Sequence, residues 1–491
     1  MMINLKKYIA ATAFAISGCI AAQMTNTSVK QYPVMYENQS GSLPSNSSSA
    51  AEKVVLSARE LIDINLNTMM NDPVLKNAHW GFVIYDPKTK KVISSYNETD
   101  SFIPASTTKL LTTETALSLL GEKFRWITQL EHSGEVDEDG VLNGNIYIVG
   151  SGDPSIGTGK AGSSTYGTIS SDFVAAMKNR GIKKVNGNVI VQNAVFKENK
   201  MDFLPQNIVW LEHQNYYLPV GTTANINPAN EKLIAKKASP FDKKNTRYFY
   251  ISPYINKMVY AEKFDGGAMT TKLPNAPVSL ANTFRTALVK NGIAVSGKVE
   301  TKMTDPDPEP RNFITFYKSP TLAEIVHDTN QRSDNALSES LLRMVGFQKK
   351  GDQSLESGRE VVENHLQTIG FDMEGLHYFD GSGLSRNNKV TPIAQVKYLT
   401  GIMGTKFYKT FFDSLPIAGQ TGTLKRSFPG AGNGQVFAKT GTLNKVKTLA
   451  GYLKTNSGKT LVFSLMVNNY SGSVDQVKNR MERILEPVYN L

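Results

Sequence analysis

Apolar residues recur at helical spacing from Leu110 to Leu120, after Pro104 and before Gly121, which predicts a helix that opens just behind a proline loop and stops at a glycine. Residues 56–70 carry the same period, and residues 80–97 alternate as a hairpin turned at Asp86-Pro87-Lys88-Thr89. From about 122 to 310 the pattern changes to short β runs broken by Gly and Asn, such as 145–149 and 188–191. Within that section residues 215–271 have strands of their own at 248–251 and 258–260, as an insert within an insert would. Asp305-Pro306-Asp307-Pro308-Glu309-Pro310 reads as a stiff linker leading out. Helical spacing then returns at 322–332, at 335–345 with Gly346 as a stop, and at 355–369, followed by the loop Asp380-Gly381-Ser382-Gly383-Leu384. Three strands, 435–440, 448–453 and 460–467, precede a last helix at 474–485. With the early hairpin they make five strands with helices on both sides.

The first 50 residues follow neither period. Lys6 and Lys7 precede a short apolar run at 8–16 and small residues through Ala22, the layout of a secretory signal and too short for a membrane span. Residues 23–51, rich in Ser, Asn and Gln, read as a flexible tether. The expected organisation is therefore signal 1–22, tether 23–51, a main domain from 52–121 and 311–491, an inserted β-rich domain from 122–214 and 272–310, and a nested insert at 215–271. Cys19 is the only cysteine of the 491 residues. Two readings of it stay open: the lipidated residue of a lipoprotein-type Ile16-Ser17-Gly18-Cys19 box, or one residue of a cleavage region cut near Ala22. Either way the folded part has no disulfide. A net charge of +11 suits an exported protein lying against anionic lipid or wall polymer. The basic residues are scattered without a recognition motif, so nucleic acid is excluded as a partner.

Chemistry enters at Ser106-Thr107-Thr108-Lys109. Ser106 stands at the helix start and Lys109 three residues on, so the amine shares a face with the hydroxyl while first-turn N–H groups are exposed. Taken alone, the pair is also what an N-cap serine and a solvated lysine would look like. Ser-x-x-Lys, however, occurs nowhere else in the chain, and Lys-Thr-Gly only at Lys439-Thr440-Gly441-Thr442. Ser333-Asp334-Asn335 lies between them at a helix junction, with Asp334 expected as the helix N-cap. The near-copy Thr421-Gly422-Thr423-Leu424 has Gln420 in place of the lysine. A phosphate loop at 150–160 is excluded by Pro154 and Ala161, and six dispersed histidines exclude a zinc site. A serine attacks an amide only if something accepts its proton, so Lys109 must be neutral. Bringing an ordinary lysine to a pKa near 7 costs on the order of 4–5 kcal/mol. Burial, the helix N-terminus and the charge of Lys439 all act in that direction.

The three motifs in this order resemble the serine acyl-transferases of the penicillin-binding protein and β-lactamase superfamily. The long β-rich section between the first two, with Gly150-Ser151-Gly152-Asp153-Pro154 and Leu415-Pro416-Ile417-Ala418-Gly419, is similar to the low-molecular-mass class C penicillin-binding proteins, D-alanyl-D-alanine carboxypeptidases and endopeptidases. The resemblance implies an α+β fold: a β-lactamase/transpeptidase-like domain with a five-stranded antiparallel sheet flanked by helices and a large β-rich insert. It implies an exported serine D,D-peptidase acting on peptidoglycan stem peptides, in the periplasm of a Gram-negative bacterium, anchored if Cys19 is lipidated. No cofactor or metal is needed, and β-lactams would acylate the enzyme. Catalysis is expected from Ser106 as nucleophile, Lys109 as base, Ser333 as proton relay, Asn335 as a holder of Lys109 and substrate, and Lys439. Thr440, Gly441 and Thr442 are expected to bind substrate, and backbone N–H groups of Ser106 and Thr442 to form the oxyanion hole. For Asp153 two readings stand, contact with a stem-peptide diamino acid or an Asp-Pro turn cap. The alternatives for the whole chain are a β-lactamase or esterase on the same scaffold and a non-catalytic wall-binding protein.

Overall fold

The computed structural model describes residues 56–193, 208–211, 216–219, 249–252, 257–260, 276–302, 308–352 and 355–491. The expected signal, the tether, Cys19 and most of the nested insert lie outside the described residues. Residues 56–491 form one compact unit. Among the described residues no helix is long and apolar enough to cross a membrane.

The chain enters through α1 (Ala58–Met70), whose start is fixed by a reciprocal cap between Ser57 and Glu60. The hairpin β1 (His79–Asp86) and β2 (Lys91–Tyr96) follows, then α2 (Lys109–Leu120), ended by Gly121 at φ +85°. The inserted section runs through β3 (Ile127–Ser133), β4 (Glu135–Val136), β5 (Val141–Asn143), β6 (Ile146–Gly150), α3 (Tyr166–Asn179), β7 (Lys184–Val185) and β8 (Val189–Asn193). Two hairpins, β9 (Ile208–Leu211) with β10 (Tyr216–Pro219) and β11 (Phe249–Ser252) with β12 (Lys257–Tyr260), precede α4 (Ala276–Lys290), β13 (Ala294–Val295), β14 (Val299–Lys302) and β15 (Arg311–Lys318). Helices α5 (Leu322–Arg332), α6 (Asn335–Lys350), α7 (Leu355–Thr368), α8 (Pro392–Ile402) and α9 (Tyr408–Asp413) come next. Strands β16 (Val436–Leu443), β17 (Val446–Lys454) and β18 (Thr460–Asn468) and helix α10 (Val474–Leu485) close the chain.

The five expected strands form one antiparallel sheet in the order β16-β17-β18-β1-β2. Because helices cover both faces, β18 is a nearly continuous buried run instead of an alternating one. One face, with Val83, Tyr452 and Met466, packs on α2, α5, α6, α7 and α8; the other, with Phe82, Phe463 and Val467, packs on α1 and α10. The fold is thus α+β, as expected.

Two local readings need correcting. Gly346 does not stop α6, which continues to Lys350 and ends at Gly351 with φ +68°. Gly346 instead lets α7 come close, since a Cβ there would lie 2.8 Å from the Gly358 backbone nitrogen. The insert is β-rich, as expected, and also carries two helices that the sequence pattern did not predict. Its five-stranded sheet, ordered β14-β8-β6-β3-β15, has parallel pairs β6/β8 and β8/β14 and is backed by α3 and α4, whose Phe173 and Phe284 rings meet edge to face at 5.8 Å. Finally, β14 and β15 are opposite edges of one sheet, so the proline-rich run joins them and leads nowhere else. Residues 311–318 pair with β3, and the strand boundary of the inserted section therefore falls after Lys318 and not at 310.

Candidate active site

Ser106 lies in a 3-10 turn, Ala105–Thr108, that runs directly into α2. Thr107 and Thr108 turn their hydroxyls back to the carbonyls of Pro104 and Ala105, each at 2.8 Å, and so tighten the turn. Ala105 sits at φ +47°, a left-handed conformation that an alanine adopts only when its surroundings impose it. Two glycines let backbone close in on this turn: a Cβ on Gly383 would lie 1.8 Å from the Ala105 carbonyl oxygen, and one on Gly441 would lie 2.9 Å from the Ser106 nitrogen. The nucleophile turn is therefore wedged between the 380–384 loop and β16.

Lys109 is 0 % exposed. Its Nζ lies 3.1 Å from Ser106 Oγ, 2.7 Å from Asn335 Oδ1 and 2.6 Å from the Ser382 carbonyl oxygen. Burial pushes the amine from 10.5 down to about 8, and the carboxylates of Glu339, Asp380 and Asp334 oppose the drop. Burial is the cause of the shift; the charge of Lys439, expected to help, is not among the forces that lower it. Lys439, also 0 % exposed, is held well below its ordinary value by burial first, then by the charge of Lys109 and of Lys447.

Ser333 occupies the junction of α5 and α6 at φ +57° and is half-buried, and Lys439 Nζ sits 2.7 Å from its Oγ and 2.9 Å from the Thr440 carbonyl oxygen. Asp334 caps α6 through Leu337 N–H at 2.9 Å, as its position suggested, and Asn335 is the first residue of that helix. Asp334 also takes an ion pair from Lys160 of the inserted section. Behind Lys109, Glu339 accepts backbone N–H groups of Ser382 at 2.9 Å and Gly381 at 3.3 Å, and Asp380 accepts those of Gly383 and Ser385, both at 2.6 Å. These bonds fix the loop that offers the Ser382 carbonyl to Lys109. Burial, then the nearby Asp380 charge, raise Glu339 to about 7.

On β16, Gly441 is buried against the nucleophile turn and Thr442 is exposed beside it. Thr440 Oγ1 donates to Thr423 Oγ1 at 2.7 Å, and Lys447 Nζ donates to Thr442 Oγ1 at 2.7 Å. Asp153 stands apart from these contacts. Its Oδ1 accepts Ser155 N–H at 2.8 Å and Ser155 Oγ–H at 2.6 Å, a turn cap, while Oδ2 is buried without a hydrogen-bond partner among the described residues. Burial raises its carboxyl above the usual range.

Chain segments around 106, 333 and 439 thus meet within hydrogen-bond distance, and Ser106, Lys109, Ser333, Asn335 and Lys439 form one connected constellation. Sequence reasoning placed Ser382 in the 380–384 loop without giving it a role, and missed Glu339, Thr423, Lys447 and Lys160. Of those four only Thr423 carried a signal, its place in the near-copy of the Lys-Thr-Gly motif. Ser382 and the other three act through position in space: a carbonyl, a loop brace, a cross-strand partner and a loop reaching over from the insert.

The model of the D-Ala-D-Ala carboxypeptidase 3 (S13) family matches residues 62–253 and 261–487. A D-alanyl-D-alanine carboxypeptidase from an Actinomadura species is 27% identical over 450 residues, covering 83% of this chain and 81% of that protein. The D-alanyl-D-alanine carboxypeptidase DacB of Haemophilus influenzae is 25% identical over 446 residues, covering 84% of this chain and 90% of its own length. The fold is like that of penicillin binding protein 4 of H. influenzae, solved with a β-lactam, at a TM-score of 0.61 and 23% identity over 87% of this chain and 98% of that one.

Proposed function

The chain belongs to the D-Ala-D-Ala carboxypeptidase 3 (S13) family, as a low-molecular-mass class C penicillin-binding protein and serine-type peptidoglycan D,D-peptidase, and from that premise we propose that its acyl-enzyme forms on Ser106. The observation that carries the assignment is Lys109, fully buried, 3.1 Å from Ser106 Oγ and brought by burial to about 8. Ser106 Oγ attacks the carbonyl of the penultimate D-alanine while its proton passes to the neutral Lys109 amine. The N–H groups of Ser106 and Thr442 receive the oxyanion, and the close approach that Gly441 allows supports their pairing. As the tetrahedral intermediate collapses, the proton travels through Ser333 to the leaving amine. Lys439, 2.7 Å away, orients the Ser333 hydroxyl. Water then releases the acyl group by the reverse proton route. Asn335 holds Lys109 and the substrate amide, and an extended peptide pairs along β16 with its terminal carboxylate at Thr440 and Thr442, the Thr440 proton turning to it from Thr423.

Asp153 would meet the amine of the stem-peptide diamino acid, a reading supported by its unpartnered buried Oδ2. The 122–318 section forms the inserted part, the enzyme works in the periplasm of a Gram-negative bacterium, and it cleaves D,D-crosslinks as well as terminal D-alanine. Cys19 is a lipid anchor or is cut away with the signal. β-Lactams acylate Ser106 and stay. The test is mass spectrometry of the mature protein after brief β-lactam exposure, which reads the labelled residue and the N-terminus together, beside an assay of D-alanine release. Label elsewhere than Ser106 would sink the assignment. So would an acylable Ser106 in a protein that frees no D-alanine and cuts no crosslink.

A further inference from the structure

Three lysines in this site each lie on a hydroxyl: Lys109 on Ser106, Lys439 on Ser333, and Lys447 on Thr442. The reaction described above uses the first two pairs and leaves the third without a task. Lys447 faces Thr442 because the two-residue connection Asn444-Lys445 folds β17 back so that the positions are cross-strand partners.

The donor inventory of this pair is decisive. A lysine ammonium has three N–H donors and no acceptor, whereas a threonine hydroxyl has one proton and lone pairs. At 2.7 Å Thr442 must therefore accept from Lys447, and its single proton is turned toward another acceptor. Thr442 is exposed, so that proton is free to be given to water or, in its place, to a bound anion. The other two lysines are 0 % exposed, Lys109 with three partners and Lys439 with two, so neither presents a charge at the surface of the cleft. Lys447 is half-buried at the outer end of the strand pair. Burial first, then the charge of Lys478, lower the Lys447 amine from its ordinary value, and Asp475 of α10 opposes them.

We propose that Lys447 is a positioning residue for the substrate's terminal carboxylate: it locks the Thr442 hydroxyl as a donor to that anion and supplies a cation beside it. Selectivity for a free C-terminal D-alanine over a blocked one then depends on a residue of β17, one strand behind the motif. The inference rests on the reading that Thr442 holds that carboxylate.

The experiment separates the two ideas. Lys447→Met, Lys447→Arg and Thr442→Val proteins are assayed on a D-Ala-D-Ala peptide with a free C-terminus and on its C-terminal amide, with kcat and KM determined separately. Where the amide turns over too slowly, acylation of Ser106 by a penicillin and by its methyl ester gives the same acid-to-neutral ratio. Lys447→Met is expected to raise KM for the acid about tenfold, the scale of one hydrogen bond to a charged group, with kcat and the neutral substrate little changed. Lys447→Arg should recover most of the loss. An equal loss on acid and neutral substrates marks Lys447 as merely structural and overturns the inference. If Thr442→Val lowers the acid-to-neutral ratio and Lys447→Met does not, the inference fails while the carboxylate reading stands. If Thr442→Val leaves the ratio unchanged, the carboxylate reading fails and takes the inference with it.

Discussion

Raising the pH tests the origin of the Lys109 base. With burial holding the amine at about 8 instead of 10.5, roughly one molecule in ten has a neutral Lys109 at pH 7, against about one in 3,000 for an ordinary lysine. The difference is about 3 kcal/mol at 1.36 kcal/mol per pH unit, and removing the amine from water supplies it. Single-turnover acylation of Ser106 by a β-lactam, followed by intact mass from pH 6 to 10 at constant ionic strength, should therefore climb about tenfold per pH unit and level off above about 8. In Lys439→Met the plateau should fall, because Ser333 loses the partner 2.7 Å from its hydroxyl, while the midpoint stays near 8. A midpoint near 10.5, or a flat profile, would refute the assignment of Lys109 as the base. A midpoint that rises in Lys439→Met would show that repulsion between the lysines, and not burial, sets it. The same shift has a stability signature. The folded state binds its Lys109 proton more weakly than the unfolded chain, so below about 8 the fold carries the full penalty. Stability is recovered as pH rises from about 8 toward 10.5.

Gly441→Ala would place a Cβ 2.1 Å from Thr448 Oγ1 and 2.7 Å from the Pro104 carbonyl oxygen, two atoms already bonded to each other; β16 must shift, and acylation should slow roughly 100-fold while the protein still folds, as kinetics beside a melting curve would show. Lys160→Met unties the insert loop from Asp334, leaving a half-buried carboxylate that keeps its helix cap. A double-mutant cycle with Asp334→Asn should give a coupling of about 1–2 kcal/mol in kcat/KM, and additive effects would show that the loop does not hold the α5/α6 junction. Glu114 on α2 accepts from the Tyr398 hydroxyl at 2.6 Å and lies 3.0 Å from His365 Nε2, all buried. Glu114→Ala strands both partners and should cost about 3–5 kcal/mol in denaturant unfolding; a value below 1 would refute that role.

Much of the protein was legible along the chain because it is set locally. Period and breakers gave the five strands and helices α1, α2, α5, α6, α7 and α10, though not α8 and α9, and the rarity of Ser-x-x-Lys and Lys-Thr-Gly singled out Ser106 and Lys439. Local reading failed where a residue's role depends on a distant neighbour. Gly346 looked like a stop until α7 was found against it, and 311–318 looked like re-entry into the main domain until β3 was found pairing with it. The near-copy at 421–424 lacks a lysine, yet Thr423 reaches Thr440 across the cleft. What the sequence by itself determined was the set of reactive groups, their order and the turns and strands that carry them, because those follow from side-chain type and spacing. What only the tertiary structure decided was how those groups behave. It buried Lys109 and Lys439 side by side, put Glu339 behind the Ser382 carbonyl and set Lys447 on Thr442, because desolvation and Coulomb energy depend on distance in space and not on separation along the chain.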